Sequence, residues 1–503
     1  MRILGRQSAL WWSLAAAALA GPPPRASDAA LVYASFLGAS SQDSIIGVKV
    51  DAAGMVYVVG YTDSGDLPAL PGAYQDANKG GRDIFIAKFN PALSGSESLV
   101  YFTYLGGSGA DTPTAMTVDA AGKVYVTGYT TSTDFPRGGE TPQISNGGGT
   151  DAFVVKLNPA IPGEFALEFS TYLGGEGMDV GTAIDVDAQG AIYVAGYTKA
   201  ESFPLAGKPV QDGIWGPQDC FVAKLDPAQP APNSRVYATF LGGEEVEQCS
   251  AIAVSPAGLV YVAGSTQSVG TFPVAGAALQ PAYGGNRDIF LAVLNLAKPG
   301  YDALEYSTFL GGSSIDEVRK IALAPDGGVL LTGYTLSSDF PVTPDAYQGQ
   351  APGNGDVFVS KVDPSLPGTA GLVYSTYLGG HSSEVAYDIL GDAEKNVYLT
   401  GYTLSGDFPM TADAFQPDWS GGVDVFCAKL SLAMPPAQAL RYATFAGRGG
   451  INVGYGIAVA PSGVMYLAGR SQDQNFPVTE NALQQVHAGG FSDGFILALA
   501  TRQ

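Results

Sequence analysis

The sequence predicts an all-β fold: a seven-bladed β-propeller of four-stranded antiparallel blades. Three observations predict it, namely a motif repeated at a fixed period, four strand patterns in each period, and a complementary fragment at each end of the chain. The motif is Tyr-Ser-Thr-Tyr-Leu-Gly-Gly at residues 374–380, and its other copies begin at Tyr33, Tyr101, Phe169, Tyr237, Tyr306 and Tyr442. Five of the six steps between copies are 68 residues long and one is 69. A period this regular indicates one supersecondary unit copied along the chain.

One complete unit, residues 106–173, contains four strand patterns and no helical periodicity. The patterns occupy residues 115–119, 123–130, 151–157 and 165–173. β-branched and aromatic residues fill them, as is typical of strands, and the Asp-Ala-Ala-Gly segment at 119–122 has the composition of a tight turn. Four antiparallel strands in each of seven units favour a propeller.

The two ends of the chain decide between a closed ring and an open solenoid. Residues 31–37 form a fourth-strand pattern with no first three strands before it, and the last unit ends after its third strand, near residue 500. An open solenoid would leave exposed strand edges or need capping units. We therefore predict that the N-terminal strand pairs beside residues 495–499 and completes the last blade.

The repeated pattern resembles a known family. It reads Y-S-T-Y-L-G-G, A-I-x-V-D-x-x-G, V-Y-V-x-G-Y-T, D-F-P and D-x-F-V-x-K-L, which is similar to the bacterial β-propeller repeat often called SBBP. The resemblance covers nearly the whole chain after residue 30, and the first and last units depart from it most. It implies a propeller in an exported or cell-surface protein, and it implies no single activity.

The first residues have the pattern of a secretory signal peptide. Arg2 and Arg6 precede a 12-residue apolar core at 9–20, which ends in the small-x-small sequence Ala-Leu-Ala. This core is shorter than the roughly 20 residues that span a bilayer. We predict a signal peptide over 1–20 (with cleavage near Ala29 as the alternative), a short linker over 21–29, and a single propeller over 30–503. The protein would then be extracytoplasmic: secreted, periplasmic or at the cell surface.

The charge composition limits the classes of partner that the protein is expected to bind. The 503 residues carry 25 basic and 47 acidic side chains, a net charge of −22, and the Lys and Arg clusters that a phosphate backbone needs are missing. We therefore expect no nucleic acid partner, and we predict a monomer without a membrane span. The three cysteines, Cys220, Cys249 and Cys427, are an odd number. Cys220 and Cys249 lie in neighbouring units and could pair, but the favoured interpretation is small buried thiols.

The strand directions sort the loops onto two faces. The fourth-to-first connections and the long second-to-third loops share one face, which we call the top face. An acidic residue precedes the inner strand there in six units: Asp43, Asp111, Asp179, Glu247, Asp316 and Glu384, with Asn452 in the seventh. One hypothesis is a carboxylate ring that holds Ca²⁺ at the channel mouth. The favoured interpretation is structural, with each carboxylate bonding amides of its own glycine-rich loop.

Three other repeated sets are interpreted as structural. An aspartate opens the third strand in all seven units: Asp83, Asp151, Asp219, Asp288, Asp356, Asp424 and Asp493. A glutamine in the long loop is equally complete and is predicted to fix the loop to its blade: Gln75, Gln143, Gln211, Gln280, Gln348, Gln416 and Gln484. Phe-Pro pairs are predicted to wedge between blades, with the phenylalanine at 135, 203, 272, 340, 408 and 476.

Function is therefore expected where the symmetry breaks. Trp215, Tyr283 and Trp419 lie in long top-face loops, where aromatic rings can stack on sugars or peptides. The rare cations Arg319, Lys320 and Arg470 are interpreted as making salt links to the acidic top face. The predicted role is a binding or surface-interaction module for a glycan or protein ligand.

Two alternatives remain open, and neither rests on a catalytic motif. The chain has two histidines, in different units, and no nucleophile elbow, so no catalytic residue is predicted and the protein is expected not to be an enzyme. The first alternative is a polysaccharide lyase or hydrolase that uses top-face carboxylates. The second is a purely structural component of the cell envelope.

Overall fold

The structure, a computed structural model, describes residues 30–500 as 28 strands with a few single-turn helical segments. The predicted signal peptide and linker lie outside the described residues. The strands are β1 (Ala30–Leu37), β2 (Asp43–Val50), β3 (Val56–Thr62), β4 (Asp83–Phe89), β5 (Leu99–Leu105), β6 (Asp111–Val118), β7 (Val124–Thr130), β8 (Asp151–Leu157), β9 (Leu167–Leu173), β10 (Asp179–Val186), β11 (Ile192–Thr198), β12 (Asp219–Leu225), β13 (Arg235–Leu241) and β14 (Glu247–Val254). They continue with β15 (Val260–Thr266), β16 (Asp288–Leu294), β17 (Leu304–Leu310), β18 (Asp316–Leu323), β19 (Val329–Thr335), β20 (Val357–Val362), β21 (Leu372–Leu378), β22 (Glu384–Gly391), β23 (Asn396–Thr403), β24 (Asp424–Ser431), β25 (Leu440–Ala446), β26 (Asn452–Val459), β27 (Met465–Ser471) and β28 (Asp493–Ala500). Short 3₁₀ turns precede four of the fourth strands, at Gly95–Ser98, Gly163–Ala166, Gly300–Ala303 and Gly368–Gly371, and a one-turn α-helix at Pro436–Ala439 precedes a fifth.

The strands form seven four-stranded antiparallel sheets, as predicted. Blades one to six use consecutive strands, from β2–β5 to β22–β25, and blade seven has the order β26-β27-β28-β1. In blade seven, Ala34 pairs with Leu497 and Phe36 with Phe495. The N-terminal strand therefore closes the ring. No helix within residues 30–500 is long and apolar enough to cross a membrane.

The first strand of each blade lines a central channel, and each of these strands carries a β-bulge at the same place. In blade five the register shifts between Val318 and Lys320, which leaves Arg319 as the extra residue. The equivalent shifts in other blades fall at Pro113/Ala115 and Ala386/Asp388. A bulge turns two successive side chains toward one side of a strand, so two residues of each inner strand can face the channel.

The hydrophobic core is divided among the seven blade junctions. Each cluster joins two neighbouring sheets; one of them, for example, joins Val59 and Ile84 of blade one to Phe153 of blade two. Phe135 stacks on Phe153 with ring centroids 4.8 Å apart and belongs to the same cluster. The Phe-Pro aromatic rings are 2–4% exposed in all six units, so the predicted wedge between blades is confirmed.

A disulfide links two blades, and here the favoured interpretation of the cysteines was wrong. Cys220 on β12 of blade three is bonded to Cys249 on β14 of blade four, with Cα atoms 5.2 Å apart. The same two positions touch at other junctions: a Cβ at Gly454 would lie 3.0 Å from Val425 Cγ1. Two side chains that already face each other need no backbone movement to form a disulfide. Cys427 is a free buried thiol, as expected.

Candidate functional site

The long loops of the top face are fixed to their blades by the repeated glutamine. In all seven blades its Oε1 accepts a hydrogen bond from the backbone N–H of the first glycine of the Gly-Gly pair or its counterpart. In blade one, Gln75 Nε2 also donates to Asp83 Oδ2 at 2.9 Å and to the Ala77 carbonyl at 2.8 Å. The predicted role of the glutamine is confirmed, and it gives the top face a rigid frame.

The aspartates that open the third strands also bond their own loops. Each accepts a backbone N–H of the loop before it, for example from Lys79 to Asp83 at 2.9 Å and from Gly147 to Asp151 at 2.8 Å. All seven side chains are at most 1% exposed. A buried carboxylate must be hydrogen bonded, and here the loop amides supply those bonds. The recurrence of this aspartate in every blade is therefore explained by the structure of the loop.

The six acidic residues of the calcium hypothesis are placed in the same manner. Each begins an inner strand, is buried, and accepts a backbone N–H from its own loop, as in the 2.7 Å bond from Gly107 to Asp111 and the 2.8 Å bond from Gly312 to Asp316. The structure does not bring the six together. Among residues 30–500, no group of three or more His, Cys, Asp or Glu side chains is arranged to hold a metal ion. These positions fit the structural interpretation better than a calcium ring.

The two acidic sets meet in pairs at the blade junctions, on either side of a glycine. A Cβ at Gly311 would lie 2.8 Å from Asp288 Oδ1 and 2.9 Å from Asp316 Oδ2, so only glycine fits between them. Burial, with the nearby Asp316 carboxyl as a smaller cause, raises the pKa of Asp288 to about 6. Burial and Glu384 similarly raise the pKa of Asp356 to about 7. These shifts recur around the ring and therefore do not single out one catalytic pocket.

Lowering the pH from about 8 to about 5 is expected to raise the melting temperature, Tm. The pKa values of Asp43, Asp83 and Asp151 are also raised to about 6, from an ordinary value of 3.8, chiefly by burial. At a pH between the ordinary and the raised pKa, the folded protein therefore binds protons that the unfolded chain has released. Its stability increases as the pH falls through the folded pKa values and stops increasing below the unfolded ones.

The matched variant is Asp356→Asn, which removes a carboxyl group whose pKa is raised to about 7 and is expected to flatten the dependence of Tm on pH. Asp76→Asn changes an exposed loop carboxylate and should leave that dependence unchanged. A Tm that rises steadily between pH 5 and about pH 8 in the parent protein would contradict the assignment.

The three predicted ligand-binding aromatics lie on the top face but in three different blades. Trp215, in blade three, is 56% exposed, and Trp419, in blade six, is 38% exposed. Trp419 lies against the loop of its own blade, where a Cβ at Gly406 would be 3.0 Å from its ring. Tyr283 packs edge-on against Phe309 of its own blade, with ring centroids 5.8 Å apart. The two tryptophans, but not Tyr283, therefore present open ring surface.

The central channel contains a further group of residues that the sequence analysis did not assemble. We call Arg319, Lys320, Tyr387 and Tyr455 the channel cluster. They lie on the inner strands of blades five, six and seven and line a cavity of about 290 Å³. Tyr387 and Tyr455 pack edge to face at 5.0 Å. The corresponding residues of blades one to four are Ile46, Thr114, Thr182 and Ser250, so the sevenfold pattern is broken at this position.

The predicted salt links of the rare cations are present only in part. Arg319 forms an ion pair with Glu317 at 3.1 Å, and Arg287 pairs with the same carboxylate at 2.5 Å. Lys320 and Arg470 form no ion pair within the described part of the chain. Cationic side chains whose N–H donors have no partner therefore remain beside the channel.

The fold and its loop-built top face define a β-propeller repeat protein. Three segments, residues 100–136, 168–204 and 373–409, match the model of the family described as Beta-propeller repeat, SBBP. The chain therefore carries repeats of this family, as the sequence motifs predicted. No curated protein matches the chain.

Solved structures resemble the chain in fold at low identity. A protein of unknown function from Dyadobacter fermentans DSM 18053 is 10% identical with a TM-score of 0.39, over 94% of this chain and 100% of that one. The WD40 beta propeller domain of Doa1 is 11% identical with a TM-score of 0.44, over 93% and 98%. An ulvan lyase of polysaccharide lyase family PL25 is 11% identical with a TM-score of 0.39, over 92% and 96%. At these values the similarities carry no argument about function.

Proposed function

We propose that this protein is an exported binding module that holds a glycan or protein ligand at the cell surface through the loops of its top face. The observation that carries the proposal is the exposure of two tryptophan rings, Trp215 and Trp419, on these loops. Nine large apolar side chains are 38–71% exposed there: Ile144, Met178, Trp215, Val269, Leu336, Leu404, Trp419, Val486 and Phe491. Single exposed apolar residues are common on any protein surface. The two tryptophans carry more weight than the other seven, because aromatic residues are enriched among the anchors of interaction sites.

The tryptophans favour a glycan among the possible ligands, because a flat aromatic face can cover the apolar face of a sugar ring. The rigid frame made by the repeated glutamines supports this role, since preorganised loops lose little conformational entropy on binding. The exported location rests on the signal-peptide pattern of residues 1–20 and on the resemblance of the repeats.

The test is binding of the purified protein to a panel of cell-surface glycans and surface proteins. Trp215→Ala and Trp419→Ala are each expected to weaken binding about tenfold or more, as for aromatic anchors at binding sites. The control is Phe165→Ala, which removes an aromatic ring that is 74% exposed on the opposite face. Unchanged affinity in both tryptophan variants, or equal loss in the control, would contradict the proposal.

The two alternatives receive less support. A lyase or hydrolase would be favoured by an asymmetric carboxylate pair in one deep pocket, whereas the raised carboxyl pKa values recur at the blade junctions. A purely structural role would be favoured by a flat top face without a pocket, whereas the channel holds a cavity of about 290 Å³.

A further inference from the structure

We propose that the upper channel binds a small sugar acid, with Arg319 and Lys320 holding its carboxylate and Tyr387 and Tyr455 covering its ring. This site is separate from the top-face loops, and the inference does not depend on the proposed function. It rests on the unused donors of the cations, on the division of the channel into two unlike walls, and on the size of the cavity.

Several cationic donors in the channel have no partner among the described residues. Lys320 and Lys49 both line the cavity, and neither side chain makes a hydrogen bond or ion pair to another residue in the range 30–500. The Nε atom of Arg319, which also lines the cavity, is buried and unpartnered. The Arg319 Nε–H is buried without an acceptor, which is unfavourable, and an anion in the cavity would supply acceptors to this group and to the two lysines.

The carboxylates nearest to Lys320 already accept backbone hydrogen bonds. Asp388 accepts the backbone N–H of Ile457 in the next blade at 3.0 Å and that of Ile389 at 3.0 Å. Asp185 likewise accepts the N–H of Val254 in the next blade at 2.8 Å. These bonds tie neighbouring inner strands together. Lys320 therefore lacks a direct ion-pair partner, and burial lowers its pKa although Asp388 and Asp185 oppose that shift and Lys49 adds to it.

The two walls of the cavity suit different parts of a sugar acid. Blades five to seven supply Arg319, Lys320 and the tyrosine pair, with the Arg319 guanidinium 5.9 Å from the centre of the Tyr387 ring. Blades two to four supply hydroxyl and amide side chains, each with an oxygen atom that can accept a hydrogen bond. They are Thr114, Thr182, Gln248 and Ser250. A hydroxylated ring that carries a carboxylate would meet complementary chemistry on both walls.

The size of the channel agrees with a small ligand. The upper cavity of about 290 Å³ is continuous in its lining with a lower one of about 240 Å³, because Lys49, Lys320 and Asp388 line both. Ligand pockets for small molecules begin at about 300 Å³, so one sugar residue fits and a folded protein segment does not. The inner strands begin at the top face, which places Arg319 and the two tyrosines toward that opening.

The experiment is calorimetric titration of the purified full-length protein with sodium glucuronate, with glucose as the neutral analogue of the same ring. We expect glucuronate to bind with a Kd of about 1 mM or tighter and glucose to bind at least about tenfold more weakly. Lys320→Met and Arg319→Gln should each weaken glucuronate binding about tenfold or more. Lys79→Met, which removes a positive charge from an exposed top-face loop, should have no effect.

The remaining outcomes also decide the matter. No heat with glucuronate, binding equal to that of glucose, or full binding by the Lys320→Met variant would overturn the site. Equally tight binding of sodium sulfate would overturn the sugar-acid assignment. The Tm of each variant checks that it is folded, and the Trp215→Ala variant should keep its glucuronate binding. Failure of the top-face proposal would therefore leave this result unchanged, and the reverse holds as well.

Discussion

Replacing Phe36 by alanine is expected to lower the free energy of unfolding by about 3–5 kcal/mol. Phe36 lies on the N-terminal strand, is 1% exposed, and packs against Phe476 at 6.0 Å and His487 at 5.5 Å in the last blade. Its backbone N–H donates to the Gln484 carbonyl at 3.1 Å. The alanine would leave a cavity at the contact that closes the ring, and urea unfolding would measure the loss.

Val32→Ala is the matched control on the same strand. Val32 is 46% exposed, so its truncation should change the free energy of unfolding by no more than about 0.5 kcal/mol. Equal effects of the two substitutions would mean that β1 does not pack into blade seven as the structure has it.

Removing the disulfide with Cys220→Ala and Cys249→Ala together is expected to lower the free energy of unfolding by about 2–4 kcal/mol. The bond joins residues 29 apart in sequence and links blade three to blade four, so it restricts the unfolded chain and connects two sheets. Denaturation of the parent protein with and without dithiothreitol should show the same loss. Dithiothreitol should not destabilise the double variant further, and a parent protein insensitive to reduction would contradict the assignment.

The strands and their closure could be predicted because the signal was repeated. Each copy of the Gly-Gly motif and of the Asp-x-x-Gly turn marks the same place in a blade, and the fragment at Tyr33 lacks the strands that the fragment at Phe495 supplies. The Gln75 and Asp83 sets could be interpreted for the same reason. A residue that recurs in all seven blades has a structural role common to all of them, which here is to fix the long loop.

The disulfide could not be found in this manner, because it depends on which strands face each other across a junction. Cys220 and Cys249 sit at different positions within their units, and a spacing of 29 residues carries no signal by itself. With the junction geometry known, the pair is simple to recognise, since Val425 and Gly454 occupy the same two positions at another junction.

The channel cluster was missed for a related reason. Arg319 is recognisable in the sequence as a rare cation, but nothing distinguishes Tyr387 and Tyr455 from the other tyrosines of a chain that has 26. Aligned by blade, they occupy the position held by Thr114 and Thr182 elsewhere. Which column of a repeat faces the channel depends on the β-bulge in each inner strand, and the bulge has no clear sequence signature.

Hydrogen exchange read by mass spectrometry tests the ring closure most directly. The amides of residues 30–37 are expected to exchange slowly, together with those of 493–500, because the two strands share one ladder of hydrogen bonds. Phe36→Ala is expected to raise the exchange of both segments together. Rapid exchange of residues 30–37 at the rate of unstructured chain, with 493–500 still protected, would show that β1 does not complete blade seven.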